Sequence, residues 1–153
     1  MKVYKFGGAS VKDAQGVRNL KEIVAHAGDD LMVVISAMGK TTNALERVVA
    51  ALAQKDEATA DNEWLAVLDY HVHLAMELGL KPNEDIRFPM MPEYDHACSY
   101  DQNYDQIVSQ GEILSTQIVA VYLLKSGIRT EWWNMPKLLR TDHTFREAQV
   151  DMQ

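Results

Sequence analysis

Four short stretches of this chain combine residue types that can handle small charged molecules. The first is Val3-Tyr4-Lys5-Phe6-Gly7-Gly8-Ala9-Ser10-Val11, an apolar run that ends in a lysine and two glycines. Such a segment brings a cation and bare backbone N–H groups to one point, which suits a phosphate. Glycines allow close backbone approach, and a helix start just beyond them adds unpaired donors. A lysine on a strand is more often a solvated surface residue, and Gly-Gly also serves simple turns. By itself the pattern marks a candidate.

The second stretch, Ile35-Ser36-Ala37-Met38-Gly39-Lys40-Thr41-Thr42-Asn43, leaves a buried-type strand and enters a helix. Gly39-Lys40-Thr41 matches the end of a P-loop, but that motif needs a glycine where Val34 stands. The plain reading is a polar turn with Thr42 or Asn43 as helix cap. In the third, Ser109-Gln110-Gly111-Glu112-Ile113-Leu114-Ser115, a glutamate opens a helix, where it complements the helix dipole. The fourth is Leu139-Arg140-Thr141-Asp142-His143-Thr144-Phe145. A guanidinium there forms either a surface ion pair or a forked grip on a carboxylate. No metal site is expected: His71 and His73 lie two apart on a helix and face different ways, and His96 and Cys98 would join them only by chance. Met90, Met91 and the three tryptophans read as core or interface.

Composition narrows the field. A chain of 153 residues fits one domain, and 47% hydrophobic with 24% charged content is ordinary for a globular protein. Cys98 is the single cysteine, which rules out an internal disulfide framework and agrees with a reducing, cytoplasmic location. The net charge of −7, without a basic stripe, argues against nucleic acid as a partner. No apolar run approaches the roughly 20 residues of a membrane span, so no membrane role is expected.

Strand-like and helix-like stretches alternate, which predicts an α/β fold with a mainly parallel sheet flanked by helices. Val3 to Phe6 is the first strand. Ser10 and Asp13 fit a capping box before a helix through Val17, Leu20, Ile23, Val24 and Ala27, ended by Gly28 and Asp29-Asp30. Leu31 to Ile35 reads as a strand covered on both faces. Helices follow over Asn43 to Leu52 and Glu63 to Leu78, the latter with Trp64, Leu65, Leu68, Val72, Ala75 and Met76 on one side. Lys81 to Tyr104 holds three prolines and reads as a loop. Ile107 to Leu124 is helical and closed by Gly127. Arg129 to Trp133 resembles a strand, and Leu138-Leu139 sits near another extended piece. The end, Val150-Asp151-Met152-Gln153, lacks a closing element and reads as a truncation.

The four stretches, in order, resemble aspartate kinases. The opening is similar to that family's Lys-Phe-Gly-Gly-Thr-Ser-Val, with Ala9 in place of threonine. The others resemble its Ser-Ala-x-x-x-x-Thr-Asn turn, its Ser-x-Gly-Glu-x-Leu-Ser motif and its Arg-Thr-Asn/Asp stretch. Upstream of the last, the family often has Asp-x-Arg where Asn134-Met135-Pro136 stands. The resemblance implies an amino-acid-kinase-like (carbamate-kinase-like) fold, here as a partial domain. It implies that Lys5 is catalytic and contacts the transferred phosphoryl group, with Gly7, Gly8, Ser10 and Ser36 also on phosphates. Thr42, Glu112, Arg140 and Asp142 would hold the amino acid: Glu112, with help from Asp142, on its ammonium and Arg140 on its α-carboxylate. ATP and Mg²⁺ would be the cofactors and L-aspartate the acceptor, giving 4-phospho-L-aspartate on the route to lysine, threonine and methionine.

An aspartate side chain is already ionised near neutral pH, with an ordinary pKa of about 3.9, so its phosphorylation needs no general base. Alignment and charge offset are what the protein must supply. The resemblance spans essentially the whole chain but only the first part of such a catalytic domain. The family's Thr-Leu-Gly-Arg-Gly-Gly-Ser-Asp segment, its nucleotide-binding half and its regulatory ACT domains have no counterpart in these residues. The chain alone is therefore expected not to turn over, and uncovered helices predict a homo-oligomer. A glutamate or nucleotide kinase of the wider superfamily, or a non-catalytic assembly module, are the alternatives.

Overall fold

The computed structural model describes residues 1–28 and 30–151. Strand β1 (Lys2–Phe6) runs into a 3₁₀ turn (Gly8–Val11) and helix α1 (Ala14–Ala27), which returns the chain to strand β2 (Leu31–Ile35). The strands pair in parallel, Lys2 opposite Leu31 through Phe6 opposite Ile35, so both end at the same edge of the molecule. Helices α2 (Thr41–Ala53), α3 (Glu57–Glu77), α4 (Tyr100–Val108) and α5 (Gln110–Lys125) follow, with a single turn α6 (Met135–Leu138) beyond them. This is the expected α/β class, as a parallel sheet of two strands with helices.

Two clusters form the interior. One gathers Val11, Val17 and Leu20 with Ile35, Met38, Leu74, Ile118 and Leu123 around the strands. The other packs Leu45, Val48 and Val49 of α2 on Trp64 and Val67 of α3 and on Ile107 and Leu114. Burying such side chains contributes about 1.5–3 kcal/mol each before chain entropy is counted, and it fixes where the strand ends point.

Several expectations need correction. Asp13, not Ser10, caps α1, its carboxylate accepting from Gly16 N at 2.8 Å. Gly28 ends that helix as expected, while Asp29 lies outside the described residues, as do Met152 and Gln153. Strand β2 is not covered on both faces: Val34 is 43% exposed, because among the described residues the sheet has two strands and its other face packs inward at Val33 and Ile35. Neither Thr42 nor Asn43 caps α2, since both already lie inside it and Lys40 occupies the cap position without a side-chain bond.

Helix α3 starts at Glu57, where the Asp56 side chain accepts from Thr59 N at 3.1 Å. Its inner face is Ala60, Trp64, Val67, His71, Leu74 and Ala75, leaving Leu65 and Met76 outside. Within the expected proline loop, Ser99 caps α4. The helix expected over Ile107 to Leu124 is thus two, broken at Ser109. Together Tyr100–Lys125 is long and apolar enough for a membrane span by length and composition alone, although polar residues interrupt any continuous apolar run. Its buried Gly111, Leu114, Ile118, Val119 and Leu123 explain that apolarity by packing inside the protein. Arg129 to Trp133 is not a strand, having no pairing partner among the described residues, and Leu138 lies in α6. The one extended pairing nearby joins Thr141 to Val150.

Candidate active site

The exits of β1 and β2 are held side by side by backbone bonds: Ser36 N donates to Phe6 O at 3.1 Å, and Gly39 N to Gly8 O at 3.0 Å. Open α/β sheets bind ligands at this carboxyl end of their strands. Gly8 is required by contact: a Cβ there would lie 2.3 Å from Ala37 O. No hydrogen bond from the N–H of Gly7 or Gly8 is seen among the described residues. Lys5 is exposed and makes no ion pair among them either.

Helix α5 delivers a carboxylate to the same place. Gly111 is buried against α2, where a Cβ would meet Ala37, Thr41 and Leu45 at 3.0–3.2 Å. That close approach brings Glu112 Oε1 to 3.3 Å from Ala37 N, the amide it accepts from. Ser115 Oγ, one turn on, lies 3.0 Å from Ser36 O and 3.1 Å from Glu112 O, so its proton tethers the strand exit to the helix. Thr41 Oγ1 donates to Met38 O at 2.7 Å and closes the turn that leads to Thr42. Lys5, Gly7, Gly8, Ser10, Ser36, Thr42 and Glu112 therefore belong to one end of the sheet. The segments leaving the two strands carry the ammonium, amides and hydroxyls, and α5 sets the Glu112 carboxylate on one of those amides, Ala37 N.

Arg140 and Asp142 stand apart. Among the described residues no hydrogen bond or ion pair joins either to Lys5, Ser36, Thr42 or Glu112. The Asp142 carboxylate accepts from Thr144 N at 3.0 Å and Gln149 N at 3.3 Å within its own loop. The Thr144 amide, above all, holds its pKa below the usual carboxylate value. Both side chains are exposed.

Sequence reasoning gave Ser115 no role, although its spacing of three from Glu112 was the available signal. It also passed over Tyr70, whose phenol donates to Lys12 O and so ties the segment after the 3₁₀ turn to α3. Burial pushes the Tyr70 pKa up. Two surface grooves, of about 470 and 510 Å³, are lined mainly by other residues, the first reaching the candidate set at Ser10. The first touches Ser10 and Asp13 and the second Trp132 and Lys137, and neither includes Lys5, Ser36 or Glu112. In this chain the candidate site is an open face.

A parallel strand pair with a lysine and two glycines at its exit, answered by a helix-borne glutamate, is how an amino acid kinase begins. The sequence model of the Amino acid kinase family matches residues 1–150, and the chain belongs to that family. Among curated proteins it is similar to lysine-sensitive aspartokinase 3 of Escherichia coli strain K12, 28% identical over 158 residues, covering 98% of this chain and 34% of that protein. Chloroplastic aspartokinase 2 of Arabidopsis thaliana is 30% identical over 141 residues, covering 82% of this chain and 25% of the relative. The chain thus spans between a quarter and about a third of the length of these relatives. Its fold matches the crystal structure of E. coli aspartokinase III in complex with aspartate and ADP, with a TM-score of 0.78, 22% identity, and coverage of 99% of this chain and 35% of that one.

Proposed function

We propose that these residues form the amino-acid- and phosphoryl-binding part of an aspartate kinase, transferring a phosphoryl group from ATP to the side-chain carboxylate of L-aspartate. The observation that carries this reading is Glu112 Oε1 on Ala37 N, which sets an anionic amine receptor against the strand exit that bears Lys5 and Gly7-Gly8. The matched fold was solved with aspartate and ADP, which supports the same pair of ligands for this chain.

In this reading the Lys5 ammonium lies between the phosphoryl group and the attacking carboxylate and offsets the charge that gathers there. Gly7, Gly8, Ser10 and Ser36 supply donors to phosphate oxygens. Glu112 and Thr42 orient the amino acid from its ammonium side, with Asp142 assisting. Arg140 takes the α-carboxylate from the loop that follows α6. Among the described residues no group of three or more His, Cys, Asp or Glu could hold a metal. Mg²⁺ therefore fits only as a companion of the nucleotide phosphates, which commonly carry it, and no step is assigned to it. Product on the route to lysine, threonine and methionine, a cytoplasmic setting and homo-oligomeric assembly complete the proposal.

Calorimetry on the 153-residue chain tests it. L-Aspartate should bind in preference to L-glutamate and UMP, and Glu112→Gln should weaken aspartate roughly ten- to a hundredfold, the range for one lost charge-assisted bond. Preference for glutamate or UMP, or no aspartate binding, removes the reading. The same chain is expected to release no ADP in an aspartate-dependent manner, because these residues contain no adenine-binding segment of the family's kind; robust turnover overturns that expectation.

A further inference from the structure

The segment that carries Arg140 and Asp142 folds on itself. Thr141 pairs antiparallel with Val150, Asp142 N donates to Gln149 O at 3.0 Å, and Asp151 N donates to Arg140 O at 2.9 Å. Among the described residues, every hydrogen bond and ion pair joining residues 134–150 to residues 1–133 is made by Arg146. Its backbone N donates to Asp105 Oδ2 at 2.8 Å, and its Nη1 lies 3.5 Å from Asp101 Oδ1. The guanidinium sits 4.2 Å from the centroid of the Tyr104 ring, a cation–π distance. Tyr104 in turn donates its hydroxyl to Glu46 Oε1 at 2.7 Å, on α2. Arg146 does this with φ +66°, a left-handed conformation costly for an arginine and kept only where surrounding contacts hold it.

Three elements meet at that residue, and each carries or leads into a candidate amino-acid contact. Helix α2 holds Thr42 in its first turn, α4 leads through Ser109 into Glu112, and the loop bears Arg140. We propose that Arg146 is a positioning residue for amino-acid binding: it pins the Arg140 loop to α4, and through Tyr104 and Glu46 to α2, fixing the carboxylate grip relative to the ammonium grip. The proposal rests on the aspartate reading above. Lysine cannot replace it fully, since a compact ammonium lacks the planar face and fork that span Tyr104 and Asp101.

The test compares binding of L-aspartate with that of 3-aminopropanoate, which is aspartate without its α-carboxylate, alongside amide hydrogen exchange. In the unaltered chain Arg140 makes aspartate the tighter ligand. Arg146→Ala should release protection over residues 141–150 while α4 and α5 stay protected, and should shrink the aspartate-to-aminopropanoate affinity ratio at least tenfold. Arg146→Lys should give an intermediate ratio, and serves if the alanine variant does not fold. Glu147→Ala, whose side chain makes no described hydrogen bond or ion pair, should change neither readout. An unchanged ratio in Arg146→Ala, or an equal loss of both ligands, overturns the proposal. No aspartate binding by the unaltered chain defeats the functional reading and this inference with it, whereas binding with an insensitive ratio defeats this inference alone.

Discussion

His71 is fully buried on α3, with Nδ1 2.7 Å from Val67 O and Nε2 without a partner among the described residues. The carbonyl at Nδ1 makes that nitrogen the donor, so Nε2 carries a lone pair facing the interior. Burial holds the imidazole pKa below its ordinary value, outweighing the bond to Val67 O. The unfolded chain therefore takes up a proton near the ordinary pKa of about 6.5 while the folded chain stays neutral. The resulting loss of stability is absent above that pH and grows as pH falls below it. The urea midpoint should drop between pH 7.5 and 5.5, and His71→Leu should flatten the drop. Asp56, Asp85, Asp95 and Asp142 do not compete in that window, since hydrogen bonds keep all four pKa values low. An equal drop in the leucine variant would clear His71 of the effect. This residue was hard to read from sequence: helical periodicity marks apolar positions, and a histidine inside the stripe looks like a break in it. The expected stripe of Trp64, Leu65, Leu68, Val72, Ala75 and Met76 therefore mixes buried Trp64 and Ala75 with Leu65 and Met76, which are exposed.

Among the elements, those that carry their own pattern were legible and those that need a partner were not. Strands β1 and β2 and helix α1 follow from apolar runs and a glycine stop. The stretch Arg129 to Trp133 has strand-like residues but no neighbour to pair with, so it stays irregular, anchored by Trp132 Nε1 donating to Thr116 Oγ1 at 3.1 Å. Ser109 splits α4 from α5 although no periodicity changes there. Within the site, Glu112 and the strand exit follow from local motifs, whereas the place of Arg140 depends on contacts made by a loop. The two adjacent glycines also separate at this scale. Nothing lies within 4 Å of a Cβ on Gly7, while one on Gly8 would strike Ala37 O. Gly8→Ala should therefore cost about 1–3 kcal/mol, the usual range for overpacking, and Gly7→Ala should melt close to the parent. Identical thermal melts for the two variants would show that close approach is not the reason for Gly8.

Taken whole, the molecule leaves much apolar surface uncovered. Val3 is 58% exposed on one strand and Val34 43% on the other, and Trp133 is 50% exposed. Two strands offer two edges with unpaired backbone groups, a known route to association. Size-exclusion chromatography with light scattering should show self-association that grows with concentration; a clean monomer across a wide range would contradict it. The parallel register has a different consequence, for the order in which the molecule can be made. The first strand emerges from synthesis with its hydrogen-bonding partner still a full helix away, and nothing can zip it locally as a hairpin would. The glycine corner behind it takes shape only when Ala37 and Gly39 arrive to lean on it, so that corner cannot form before the second strand has been made.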